Sequence, residues 1–187
     1  LKEQDIQLNA RVVDEAALRQ QAAEAKADGD SVGGEIACTV TGLPAGLGGP
    51  GWREAVESEL ARHLFAIPAV KALGFGDGAA LAHMRGSRAN DPLRTDGTRV
   101  RTVTNHNGGI NGGVTNGMPL TFTVTFKPTP SIALPQDTVD LSRMENCTVA
   151  VTGRHDPCIV PRAVPVVEAA AALVLLDALL DAPAILK

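Results

Sequence analysis

Between Leu120 and Phe126 the chain reads Leu-Thr-Phe-Thr-Val-Thr-Phe, with large apolar and threonine side chains in strict alternation. Only an extended strand sends successive residues to opposite faces, so this segment must lie in a sheet with its apolar face covered. The branched Cβ of threonine suits the pleat and disfavours a helix. The same period recurs from Gly34 to Thr41, where Ile36, Cys38 and Val40 oppose Glu35, Thr39 and Thr41. Cys147 to Thr152 reads as a further alternating strand, and Ala69 to Phe75 as a short buried one closed by the turn Gly76-Asp77-Gly78.

Three segments carry helical signals. Asp14 to Lys26 is rich in good helix formers behind an Asp cap and stops at Asp28-Gly29. From Arg53, the residues Val56, Leu60, Leu64 and Ile67 form one apolar stripe that ends at Pro68. The third helix runs from about Pro165 to Leu180. The resulting order is helix, strand, helix, strand, long loop, strand, strand, helix. It lacks the regular alternation of a doubly wound parallel sheet and predicts an α+β fold, a layered antiparallel sheet with packed helices. A length of 187 residues fits one domain spanning 1–187.

Composition narrows the function classes. Seventeen basic against 21 acidic residues, a net charge of −4, argue against a general nucleic-acid or anionic-membrane surface. Pro165, Glu168 and Asp177 interrupt the longest apolar run, which predicts a buried helix rather than a membrane anchor. Three cysteines are too few for a disulfide framework, and no basic-then-apolar leader opens the chain, so the cytoplasm is the expected compartment. No His, Cys, Asp or Glu spacing matches a zinc site, and no metal is expected. Cys38 and Cys147 read as buried small hydrophobes.

Periodicity vanishes from Arg85 to Gly117, a stretch of Gly, Asn, Asp, Thr and Arg. A long loop of that kind is either functional or disordered. It holds Arg85, Arg88, Arg94, Arg99 and Arg101, five of the twelve arginines, beside the glycines at 108, 109, 112 and 113. Guanidinium forks and close backbone N–H groups suit an anionic small ligand, and the same residues suit a solvated loop. The glycines precede a strand and lack a Gly-Lys-Ser/Thr ending, which excludes a P-loop. Lys127-Pro128-Thr129-Pro130-Ser131 places an ammonium and two hydroxyls on a stiffened strand exit able to grip a phosphate. Arg154-His155-Asp156 gathers three groups able to give or take protons, and also suits a solvated turn. His106 is the best site candidate among the histidines, with His63 and His83 read as structural.

The ordered set Asp30-Ser31-Val32-Gly33-Gly34, Pro68-Ala69-Val70-Lys71, Gly76-Asp77-Gly78, Arg85-Gly86-Ser87, Thr104-Asn105-His106, Asn116-Gly117, Lys127 to Ile132 and Gly153 to Cys158 resembles the chorismate synthases. The resemblance runs from about Asp14 to the C-terminus and departs at Asn107 and Asn111, where relatives often carry small or apolar residues. It implies the C-terminal half of a β-α-β sandwich enzyme about twice as long, a homotetramer with four active sites. The implied reaction removes phosphate and a proton from 5-enolpyruvylshikimate 3-phosphate to give chorismate. It requires reduced FMN without net redox change, with NADPH the implied reductant. The resemblance makes Pro68, Ala69, Gly112, Lys127, Pro128, Thr129, Pro130, Ser131 and Arg154 flavin contacts. It makes Asp156 a proton-transfer group near flavin N5, with Arg154 also facing the substrate. The implied other half would carry two catalytic histidines, so this chain alone is expected to be inactive. The alternative is a non-catalytic flavin- or anion-binding or assembly module.

Overall fold

The computed structural model describes residues 5–153 and 155–182. In chain order the first elements are β1 (Gln7–Val12), α1 (Glu15–Ala27), β2 (Gly34–Thr41), α2 (Val56–Phe65) and β3 (Val70–Phe75). A 3-10 turn (Gly78–His83), α3 (Gly86–Ala89), β4 (Leu93–Thr95), β5 (Val100–Thr102), β6 (Ile110–Asn111) and β7 (Val114–Thr115) follow. The last are β8 (Leu120–Phe126), β9 (Gln136–Asp140), β10 (Glu145–Val149) and α4 (Val160–Asp181).

The four longer strands β1, β2, β8 and β3 form one antiparallel sheet in that spatial order. Within β8, Phe122 pairs with Cys38 of β2 and Phe75 of β3, and Val124 with Ile36 and Leu73. Leu120, Phe122, Val124, Phe126, Ile36, Cys38 and Val40 are all buried, as the alternation predicts. A bulge between Val70 and Ala72 sets Val70 opposite Phe126 and Leu73 opposite Val124, so both face inward despite their odd spacing. The covering layer is α2, through Val56, Leu60 and Leu64, and α4, through Val160, Ala163, Val167, Ala171, Val174, Leu175 and Leu179. Asp14 caps α1 by accepting from Ala17 N at 3.0 Å. No side chain caps α2; its first amide, Val56 N, donates instead to Gly113 O at 3.0 Å.

Four elements differ from the sequence reading. β1 was not read as a strand although Leu8, Ala10 and Val12 alternate with Gln7, Asn9 and Arg11 over it; of its inward side chains only Ala10 is buried. Its outer edge is closed from the helix layer, where Glu168 Oε1 accepts from Ala10 N at 2.8 Å. The strand expected over Cys147 to Thr152 lies at Glu145–Val149 and pairs with β9 rather than joining the sheet. Cys147 is therefore exposed, not buried.

Helix α4 begins at Val160 rather than Pro165, because Pro161 in its first turn sacrifices no intrahelical bond. Pro165 then sits inside the helix, one of whose backbone bonds it cannot make. The stretch Arg85 to Gly117 is not structureless: it holds α3 and the hairpins β4–β5 and β6–β7. Asp91 folds it back by accepting from Thr104 Oγ1 at 2.7 Å, His106 N at 2.8 Å and Asn107 N at 3.0 Å. Partial burial works to raise the Asp91 pKa, but these hydrogen bonds together outweigh it and leave the carboxyl below its usual range.

Replacing Glu168 by Ala leaves the Ala10 amide without its partner and is expected to cost about 1–3 kcal/mol, while Glu168→Gln, whose amide oxygen still accepts, costs less; urea denaturation measures both. Burial, with the Glu168 carboxylate adding to it, pushes the Cys38 thiol from about 9 up to about 12. Since the folded pKa is the higher, this stabilisation is complete below pH 9 and is lost as pH rises toward 12. Melting curves across that window are expected to fall more steeply for the native chain than for Cys38→Ala.

Candidate functional site

At the end of the sheet where β8 leaves and β2 enters, three chain segments converge. As β8 exits, Lys127 N donates to Ala69 O at 2.9 Å, which sets Pro68-Ala69 beside Lys127-Pro128. Across from them runs the turn before β2. Ser31 Oγ donates to Thr129 O at 2.7 Å, and Val32 N to Pro157 O at 2.8 Å. One short segment thus ties the exit of β8 to the polar turn before α4. A Cβ on Gly33 would overlap the Phe126 carbonyl, so the close approach requires glycine there.

Ala69 has φ +71°, in the left-handed region that favours glycine. Such strain persists only where surroundings impose it, and here the Lys127 amide holds the Ala69 carbonyl.

Two polar atoms at this corner are buried without a hydrogen bond, Thr129 Oγ1 and Asp156 Oδ2. The other Asp156 oxygen accepts from Cys158 N at 3.2 Å. Oδ2 lies 3.0 Å from a guanidinium nitrogen of Arg162, close enough for charge attraction but without an aligned N–H. His155 Nε2 donates to Val151 O at 2.9 Å. Lys26, His155, Asp156, Pro157 and Arg162 line a cavity of about 340 Å³ here. Two cations beside one carboxylate favour an anionic guest.

Pro68, Ala69, Lys127, Pro128, Thr129 and Asp156 are thus gathered at one corner, with Pro130 and Ser131 continuing from it. Arg154 lies outside the described residues. Gly112 is elsewhere: the glycine-rich segment that leads into β6–β7 bonds to the opposite end of β8, where Thr121 N donates to Gly108 O at 3.1 Å. Gly112 has φ +59° and open space where a Cβ would stand. The β8 strand between the two ends is about 20 Å long.

His106 also sits at that far end, its Nδ1 2.6 Å from Asp77 Oδ2 while Asp77 N donates to His106 O at 2.9 Å. His63 and His83 are exposed, and His63 Nδ1 donates to Glu59 O at 2.9 Å. The sequence reading assigned no site role to Ser31, Val32 and Gly33. The available signal was the Gly33-Gly34 pair opening a strand, which marks a close backbone approach.

A family model described as chorismate synthase matches residues 2–180. A curated chorismate synthase from Thermococcus gammatolerans is 54% identical over 163 residues, covering 87% of this chain and 46% of the relative. One from Dehalococcoides mccartyi is 51% identical over 166 residues, covering 89% of this chain and 44% of the relative. The chain therefore spans about half the length of the curated relatives it matches. A crystal structure of chorismate synthase superposes with a TM-score of 0.75 at 24% identity, over 96% of this chain and 58% of the other, which shows the fold.

Ala69→Gly is expected to relieve the backbone strain and stabilise the chain by about 1 kcal/mol, and Ala69→Val to destabilise it, as read from denaturation midpoints.

Proposed function

The chain belongs to the chorismate synthase family, and on that premise we propose that it supplies the C-terminal half of an enzyme converting 5-enolpyruvylshikimate 3-phosphate to chorismate with reduced FMN. The observation that carries this reading is the corner itself. Thr129 Oγ1 is buried there without a hydrogen bond, and Asp156 Oδ2 is buried with only the charge of Arg162 beside it, next to a cavity lined by cations. Orphaned polar atoms of this kind fit a bound polar group, and the corner combines donors for a phosphate with a carboxylate able to hold a proton.

In this reading Lys127, Thr129 and Ser131 grip the flavin phosphate, and Pro128 and Pro130 keep the grip rigid. Pro68 and the strained Ala69 present backbone toward the ring system. Asp156 assists proton transfer near flavin N5, and Arg154 is a flavin contact that also serves the substrate. The flavin, when bound, supplies a reversible electron to the substrate as phosphate departs. With four phenylalanines, one tryptophan and no tyrosine, this chain offers the ring mainly aliphatic and backbone groups.

Gly112 stands at the far end of β8 from this corner, and the assembly this reading implies is a homotetramer. The outer face of α4 exposes Val166, Leu173, Leu176 and Leu180, an apolar face suited to the other half of the sandwich. The enzyme works in the cytoplasm without nucleic-acid or membrane partners.

The test is phosphate release by the full-length enzyme with reduced FMN. Asp156→Asn and Arg154→Ala are each expected to lower the rate by about 10²-fold or more. The isolated chain is expected to show no turnover. Wild-type rates in both variants would overturn the site assignment, and turnover by the isolated chain would overturn its incompleteness.

A further inference from the structure

Asp156 is held at two points. Its Oδ1 accepts from Cys158 N at 3.2 Å, within the same turn, and its buried Oδ2 faces Arg162 Nη1 of α4 at 3.0 Å. The first contact is local and comes with the turn itself. The second crosses to the helix, and it is the one ion pair of Asp156 among the described residues. Lys26 and His155 line the same cavity without coming that close.

The neighbours of Arg162 fix where its backbone stands. Val160 and Ala163 on either side are buried, and a Cβ on Gly34 of β2 would lie 3.3 Å from a methyl of Val160. Pro161 stiffens the first turn of α4, and Arg162 N donates to Ile159 O at 3.0 Å. The start of the side chain is thus anchored in the core, while the side chain itself is 81% exposed.

Stability of the helix or of the fold does not account for an arginine at that position. The first turn of a helix carries the positive end of its dipole and favours acidic side chains, yet α4 has none there. An ion pair with one partner mostly in water adds little to folding. What the contact does fix is the carboxyl group of Asp156. Held only by the Cys158 amide it could rotate, and a positive charge beside Oδ2 selects one orientation.

We propose that Arg162 is a positioning residue, whose charge holds Asp156 in the one orientation that serves proton transfer at the flavin. This rests on the role given to Asp156 above and adds a residue that the site reading left without a task. Because the 3.0 Å approach lacks an aligned N–H, Arg162 supplies charge and reach rather than a fork of hydrogen bonds.

Steady-state kinetics of the full-length enzyme test it. Arg162→Ala is expected to lower kcat about tenfold while KM for substrate and the affinity for FMN stay within about twofold, because Arg162 acts through Asp156 and not on either ligand. Arg162→Lys keeps the charge and is expected to recover most of the rate, whereas Arg162→Gln is not. Arg162→Ala added to Asp156→Asn is expected to cost nothing further, since the residue has no task once its carboxylate is gone. Urea midpoints of Arg162→Ala are expected to match the native chain. A native kcat in Arg162→Ala beside a slow Asp156→Asn would overturn the proposal and leave the site assignment standing. So would a full additional loss in the double variant, or a raised KM at native kcat, which would make Arg162 a direct ligand contact. A native rate in Asp156→Asn would overturn the site assignment itself, and the proposal with it.

Discussion

The pairing of β8 with a strand on each side is the interaction on which the rest of the structure depends. Its apolar residues form the middle of the core, and its two hydrogen-bonded edges hold β2 and β3 in register. Because side chains alternate with period two, slipping either neighbour by one residue would turn Ile36, Cys38 and Val40, or Leu73 and Phe75, away from the helices. The ring of Phe122 meets that of Phe75 at 6.0 Å, a tilted contact that exists only in this register.

The candidate site inherits its geometry from the same strand. Where β8 ends, its backbone continues straight into Lys127, so the position of Lys127 is set by the ladder and not by a loose loop. Ser31, Val32 and Gly33 then lie close because β2 pairs with β8 down to Gly34 opposite Phe126. Their bonds to Thr129 and Pro157 bring in the turn containing Asp156. Four distant stretches of sequence thus meet at one end of one strand. The strained Ala69 belongs to this assembly, since its carbonyl is held by the same strand exit.

What the sheet does not bury is as informative as what it does. The outer face of α4 and the hairpins β4–β5 and β9–β10 keep large apolar groups in water. A chain spanning about half of its relatives has reason to leave such faces open.

The sequence alone determined β2, β8 and α2, because alternation and the helical stripe report burial directly and those segments have one covered face, and α1 through its helix formers and the Asp14 cap. It also determined the family, through short motifs such as Lys127 to Ser131 that keep their order. The alternation of Leu8, Ala10 and Val12 also marks β1, a signal the sequence reading did not use; that β9–β10 stands apart from the sheet could not be determined, because its residues alternate without facing a core. The convergence of Pro68, Lys127 and Asp156, and the removal of Gly112 to the far end, were decided only by tertiary structure. Contact between residues far apart along the chain is set by strand order and register, which a local pattern does not encode.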